Sequence, residues 1–151
     1  MKRSEALIPL SHDHHHALFV AKLLRDAKTE DKEPDEAAAA FRAFWIEEGR
    51  EHFRIEEEIL LPSSGLGGPS SDPDVARMLD DHLEIRRMAE SVLTGDADPS
   101  SLFTLGERLT AHVRFEERDL FPRIERELEP ARLEELARAI AVASGEGGPE
   151  G

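Results

Sequence analysis

A chain of 151 residues is one ordinary domain, long enough to bury a core without disulfide support. It holds no Cys and no Tyr, which excludes disulfides, thiolate metal sites, cysteine nucleophiles and a tyrosyl radical. A formal net charge of −14 argues against nucleic acid and anionic membranes as partners, since both are held by clustered Lys and Arg.

Met1-Lys2-Arg3 is followed by Ser4, Glu5 and Pro9 instead of a long apolar run. Neither a secretory signal nor a transmembrane helix is therefore expected, and the default is a soluble cytoplasmic protein. Ser11 is a candidate cap for a first helix running to about Lys28, with Ala17, Leu18, Val20, Ala21, Leu23 and Leu24 on its apolar face. Pro34, Asp35 and Glu36 suit the first turn of a second helix that reaches about Leu61, with Phe41, Phe44, Trp45, Ile55 and Ile59 at helical spacing.

The breakers between Pro62 and Pro73 predict a loop joining two halves. Asp72 caps a third helix to about Thr94, and Gly95-Asp96-Ala97-Asp98-Pro99 ends it. A fourth helix starts at Ser100 or Ser101 and runs to about Leu128, with a kink expected at Pro122. A short amphipathic helix follows from Pro130 to about Ala143, and the Gly-rich acidic tail, 144–151, is expected to be disordered. No segment alternates with period two, so residues 1–143 are expected to form one all-α domain, a four-helix bundle with a short C-terminal helix.

Two stretches sixty residues apart share the pattern H-x-R-x-E-E-x-x-L-x-P, from His52 to Pro62 and from His112 to Pro122. Each puts a His and a Glu four residues apart, on one side of a helix. Stepping back from Ile59 by threes and fours gives Ile55/Glu56, His52, Glu48, Trp45 and Phe41; the fourth helix repeats this with Leu105, Leu109, His112, Glu116 and Leu120. Two unpaired carboxylates on buried stripes are costly, and a metal pair would neutralise them while accepting the lone pairs of neutral imidazoles.

The third helix places His82 on the line Val75, Leu79, Ile85, Ala89 and Leu93. The first offers His12, His14, His15 and His16. Periodicity with Leu10, Ala17, Ala21 and Leu24 prefers His14, whereas the spacing His15-x-x-Leu18, like His52-x-x-Ile55, prefers His15; both stay candidates. His12 and His16 are read as surface residues or neighbours of the ligands. Glu57, Glu58, Glu117 and Arg118 are assigned to solvated faces, the second Glu of each motif facing solvent or standing beside the ligands.

Leu10-Ser11-His12-Asp13-His14-His15, His52-x-x-x-Glu56, His82 and His112-x-x-x-Glu116, in this order, resemble the hemerythrin-like, or HHE, cation-binding family over about residues 7 to 128. The resemblance implies an up-down-up-down bundle around a non-haem di-iron centre, with Glu56 and Glu116 bridging and His14 or His15, His52, His82 and His112 as terminal ligands. It implies binding, sensing or reduction of dioxygen, peroxide or nitric oxide. Mixed imidazole and carboxylate ligation suits iron and equally manganese or zinc. Ferritin-like di-iron bundles use Glu-x-x-His, the reverse order and a different spacing.

Oxygen-carrying hemerythrins have a second His four residues after the one on the third helix, where this chain has Arg86. One imidazole fewer favours reactivity or sensing over reversible carriage. The rival expectations are a metal-dependent sensor or interaction module without turnover, an iron-storage or handling protein, and a structural bundle with core histidines. The expected partner is a small molecule, with no nucleic acid and no membrane, and the chain a monomer or small homo-oligomer.

Overall fold

The computed structural model describes residues 3–29 and 34–145, and among these residues five helices account for the fold with no strand. Helix α1 is Ile8–Thr29. Helix α2 covers residues 34–63 as one rod, in which the α-helical segments Pro34–Phe44, Arg50–Ile55 and Leu61–Ser63 alternate with π turns at Trp45–Gly49 and Glu56–Leu60. Helix α3 is Pro73–Leu93. Helix α4 covers residues 99–127, with a π turn at Glu116–Leu120 between Pro99–Phe115 and Phe121–Glu127. Helix α5 is Pro130–Ala143. The first four make an up-down-up-down bundle in which α1 packs most extensively on α4, and α5 is the short terminal helix. The tail expected to be disordered falls mostly on 146–151, outside the described residues.

Two helix starts differ from the sequence reading. α1 begins before Ser11: the Ser4 hydroxyl accepts from the Ala6 amide and the Ser4 carbonyl from Leu7, so the chain is already turning when it reaches Ile8. Ser11 therefore lies inside the helix and donates its hydroxyl to Glu117 Oε2 at 2.6 Å. α4 is capped by Asp98, whose carboxylate accepts from the Ser101 amide at 2.8 Å, with Pro99 in the first turn. Asp72 caps α3 as expected, accepting from the amides of Asp74 and Val75.

The π turns explain the proline that ends each repeated motif. A proline ring clashes with the carbonyl four residues back and offers no N–H to it. In both motifs the helix widens just before the ring, so that Leu61 donates to the Glu56 carbonyl and Phe121 to the Glu116 carbonyl, five residues back. The extra residue also shifts the buried stripe. Leu60 is fully buried and Ile59 only half-buried, and Gly49 replaces Glu48 on the core side. The straight-helix stripe is thus off by one residue at Glu48 and at Ile59, inside the two π turns of α2, whereas Leu120 of α4 is buried as that stripe expects.

The apolar core comes in two parts. One gathers Ala21, Leu24, Phe41, Trp45, Ile85 and Leu105. The other gathers Leu10, Leu60, Met78, Phe121 and Ile124, closed by Leu136 and Ile140 of α5. Gly106 lets α1 and α4 approach closely, since a Cβ there would stand 2.7 Å from the Ala21 carbonyl oxygen.

Candidate metal centre

Six of the buried polar side chains among the described residues meet inside the bundle: His14 from α1, His52 and Glu56 from α2, His82 from α3, His112 and Glu116 from α4. Helical spacing brings them there, since each sits on the core stripe of its helix, and the i, i+4 pairs His52/Glu56 and His112/Glu116 lie one turn apart. All four imidazoles turn Nε2 inward. His14 Nε2 lies 2.9 Å from Glu116 Oε1, and His52 Nε2 lies 3.0 Å from Glu56 Oε2. His82 Nε2 lies 3.0 Å from Glu56 Oε1, and His112 Nε2 lies 3.1 Å from Glu116 Oε2.

The two carboxylates are therefore split. Glu56 turns one oxygen to the His52 side and the other to His82; Glu116 turns one to His14 and the other to His112. Two four-residue groups result, His14/His52/Glu56/Glu116 and Glu56/His82/His112/Glu116, each with its ligand atoms within 4.8 Å of one another. Shared carboxylates between paired groups are what a dinuclear centre requires.

The donors fit cations better than they fit one another. Glu56 Oε1, His82 Nε2, His112 Nε2 and Glu116 Oε2 are buried and have no hydrogen-bond partner, although His82 and Glu56 approach to 3.0 Å. Such atoms aim at a common point and not along an N–H···O line, and leaving them unpaired is expensive. Two donors about 2.1 Å from one cation and at right angles stand about 3.0 Å apart, the separation found here.

A ring of four further carboxylates holds the other nitrogen of each buried imidazole. Asp13 Oδ2 is 3.0 Å from His52 Nδ1, and Asp81 Oδ2 is 3.0 Å from His112 Nδ1. Glu57 Oε2 is 2.6 Å from His82 Nδ1, and Glu117 Oε2 is 2.6 Å from His14 Nδ1. Each Nδ1–H donated outward leaves the Nε2 lone pair free to face inward, the tautomer a metal ligand needs. The two halves obey one rule: the Asp before the buried His of α1 or α3 serves the His of the next helix, and the second Glu of each motif serves the His of α3 or α1. Glu57 and Glu117 are thus half-buried working residues, whereas Glu58 and Arg118 are exposed. A sequence signal existed in the dipeptides Asp13-His14 and Asp81-His82, which echo one another on α1 and α3.

His15 does not join the group: it lies exposed, one residue and so a quarter-turn or more around α1 from buried His14. His12 and His16 are also exposed. Arg86 adds no ligand. Its Nη1 donates to Glu57 Oε2 at 2.7 Å, the oxygen that also receives His82, and its guanidinium lies 5.6 Å from the Phe53 ring centre. Phe53 in turn stacks on His82, with ring centres 3.8 Å apart.

Charge follows from this arrangement. Without a cation, burial works against protonated His82, but the surrounding carboxylates of Glu116, Glu56 and Glu57 outweigh it and lift the imidazole to about 10. Burial likewise opposes protonated His112, yet the Glu116 charge and the Asp81 hydrogen bond carry it up to about 9. Burial favours neutral Glu57 and Glu117, but His82 with Arg86, and His14 with Ser11, hold them down at about 2. The metal-free site thus borrows protons to balance its carboxylates, and cations would take their place.

A bundle of four antiparallel helices with a buried, carboxylate-bridged pair of imidazole groups defines the class of cation-binding helical bundles. The chain matches the hemerythrin HHE cation-binding domain over residues 7–124, and it belongs to that family. No curated protein and no solved structure matches it significantly. No described helix is long and apolar enough to cross a membrane.

Proposed function

We propose that this protein is a non-haem di-iron protein of the hemerythrin family that binds, senses or reduces a small oxidant: dioxygen, peroxide or nitric oxide. The observation that carries the reading is the split of Glu56 and Glu116, each giving one oxygen to either group of imidazoles. An iron pair would supply the electron transfer that such molecules require, and mixed nitrogen and oxygen donors suit it. His14, His52, His82 and His112 would be terminal ligands, with Glu56 and Glu116 between the metals.

The surroundings favour a small guest. A void of about 10 Å³, the scale of one water-sized molecule, lies against His14, His52 and His112 with Ala17, Phe53 and Leu109 as apolar walls. Arg86 is spent on Glu57, so four imidazoles serve two groups, a set with fewer ligands than an oxygen carrier's and therefore suited to reaction or sensing.

Aerobic expression in iron-rich medium should yield about two irons per chain with an oxo-bridge absorption band that reduction bleaches and that dioxygen, peroxide or nitric oxide then alters. E56Q and E116Q should each lose the band. A wild-type protein that stays iron-free, or an iron form indifferent to all three oxidants, would overturn the reading.

A further inference from the structure

We propose that Arg3 and Arg86 are a matched pair of positioning residues, each clamping the outer carboxylate and the aromatic ring that hold one buried imidazole in line: Arg86 for His82, Arg3 for His14. The geometry repeats on the two sides of the centre. Arg86 Nη1 donates to Glu57 Oε2 at 2.7 Å, the oxygen that is 2.6 Å from His82 Nδ1. Its guanidinium lies 5.6 Å from the centre of Phe53, whose ring stacks on His82. Arg3 Nη2 donates to Glu117 Oε1 at 3.0 Å and to the Glu117 carbonyl at 2.8 Å, while Glu117 Oε2 is 2.6 Å from His14 Nδ1. The Arg3 guanidinium likewise lies 5.6 Å from the centre of Phe121, whose ring stacks on His14 with centres 5.4 Å apart.

The two clamps are not copies inherited with the repeated motif. Arg86 stands four residues after His82, whereas the residue four after His14 is Leu18, and Arg3 comes from ahead of α1. Phe53 follows the His of its motif, but Phe121 precedes the Pro of the other. Different chain positions thus arrive at one arrangement of guanidinium, carboxylate, aromatic ring and imidazole. Each four-residue group contains one clamped imidazole, His14 or His82. The other imidazole of each group is held more loosely: Asp13 and Asp81 stand 3.0 Å from His52 and His112, and Arg77 and Arg108 stand 3.7 and 3.6 Å from Asp81.

A glutamate has one more torsion to fix than an aspartate, and the side chains of Glu57 and Glu117 are 24% and 29% exposed, within reach of water. A guanidinium bonded to the carboxylate and resting against an aromatic ring removes that freedom, and it stays charged at any working pH. Partly exposed ion pairs add little to folding stability, so the larger effect of each arginine is on the aim of its carboxylate and hence of the imidazole. The clamp belongs to the metal-free protein as well; its bearing on metal affinity rests on the buried pair holding cations.

The test compares the full-length wild type with R86Q, R3Q and R87Q, the last removing an exposed arginine paired with Glu84. In metal-free protein carrying ¹⁵N-labelled histidine, NMR reads the exchange of each Nδ1–H with water. R86Q should speed exchange at His82 at least about fivefold and spare His14, R3Q should do the reverse, and R87Q should change neither. Urea midpoints should stay near wild type. Competition titration with Co²⁺ should show about 3- to 10-fold weaker binding in R86Q and in R3Q, less than the loss expected for the carboxylates themselves. Unchanged exchange at both imidazoles, or exchange speeded alike at both in one variant, would overturn the clamp. Equal Co²⁺ affinity in all four proteins would overturn its bearing on the metal. A wild type that binds no Co²⁺ would count against the buried metal pair, while the exchange rates still decide the clamp.

Discussion

Glu57 Oε2 lies 2.6 Å from His82 Nδ1, reaching from α2 to α3 next to the buried Glu56. One pair of adjacent acids thus does two jobs: Glu56 faces the cation position, and Glu57 fixes the ring that faces it. Glu117 repeats the arrangement with His14, beside Glu116.

Replacing Glu57 by Gln keeps the size and removes the charge that orients His82. Metal affinity should fall about 10- to 100-fold, the usual cost of losing an outer partner of a ligand imidazole. E117Q should do the same through His14, while E58Q, at an exposed position, should match wild type. Competition titration with a chromophoric chelator reads all three, and an E57Q protein that binds as tightly as wild type would refute the role.

His14 and His15 are neighbours in sequence with opposite fates. H14A removes a donor from one of the two groups and should leave that group unable to hold its ion, so metal content per chain should drop. H15A alters an exposed ring and should leave the metal content unchanged. Elemental analysis of the purified variants makes the comparison.

The metal-free protein should lose stability as pH rises. His82 and His112 titrate near 10 and 9 when folded, above their ordinary 6.5, so their contribution is full below about pH 6.5 and gone once pH passes 9 to 10. Glu57 and Glu117, held at about 2 against an ordinary 4.5, act in the opposite sense: their contribution is full above pH 4.5 and is lost as pH falls through 2. Urea midpoints of the metal-free chain should therefore fall from pH 6 to pH 10. Metal uptake near pH 7 should release protons, and apparent affinity should climb with pH. Titration in buffers of different ionisation enthalpy counts those protons, and zero release would contradict the charge balance.

Gly106 is required by the contact of α4 with α1. In G106A the new methyl would meet the Ala21 carbonyl oxygen at 2.7 Å and Leu24 Cβ at 3.0 Å, and backbone cannot yield as a flexible side chain does. The expected cost is about 1–3 kcal/mol in chemical unfolding. G68A, in open space on the surface, should be nearly neutral.

Much of this protein follows from local pattern. Period-3.6 apolar residues, Asp72 before Pro73, and the breakers around Gly65 and Gly95 determine helices and loops within a few residues, because those preferences act between near neighbours. The same periodicity puts His52, Glu56, His82, His112 and Glu116 on inward stripes, where burial makes a carboxylate costly without a counter-charge.

Other features needed the third dimension. The choice of His14 over His15 depends on where α1 meets α4, and the duties of Asp13, Glu57, Asp81 and Glu117 depend on which neighbouring helix each faces. All four act between helices, across 25 to 103 residues of chain, beyond the reach of any local pattern. The π turns belong to the same group: each adds a residue to a turn that simple periodicity treats as regular, and so moves Leu60 inward and Glu48 outward. Local sequence determined most of the residues that face the bundle interior; tertiary packing decided the rest and which of their atoms face one another, because a hydrogen bond or a metal bond is specified to tenths of an ångström and a helical stripe only to a fraction of a turn.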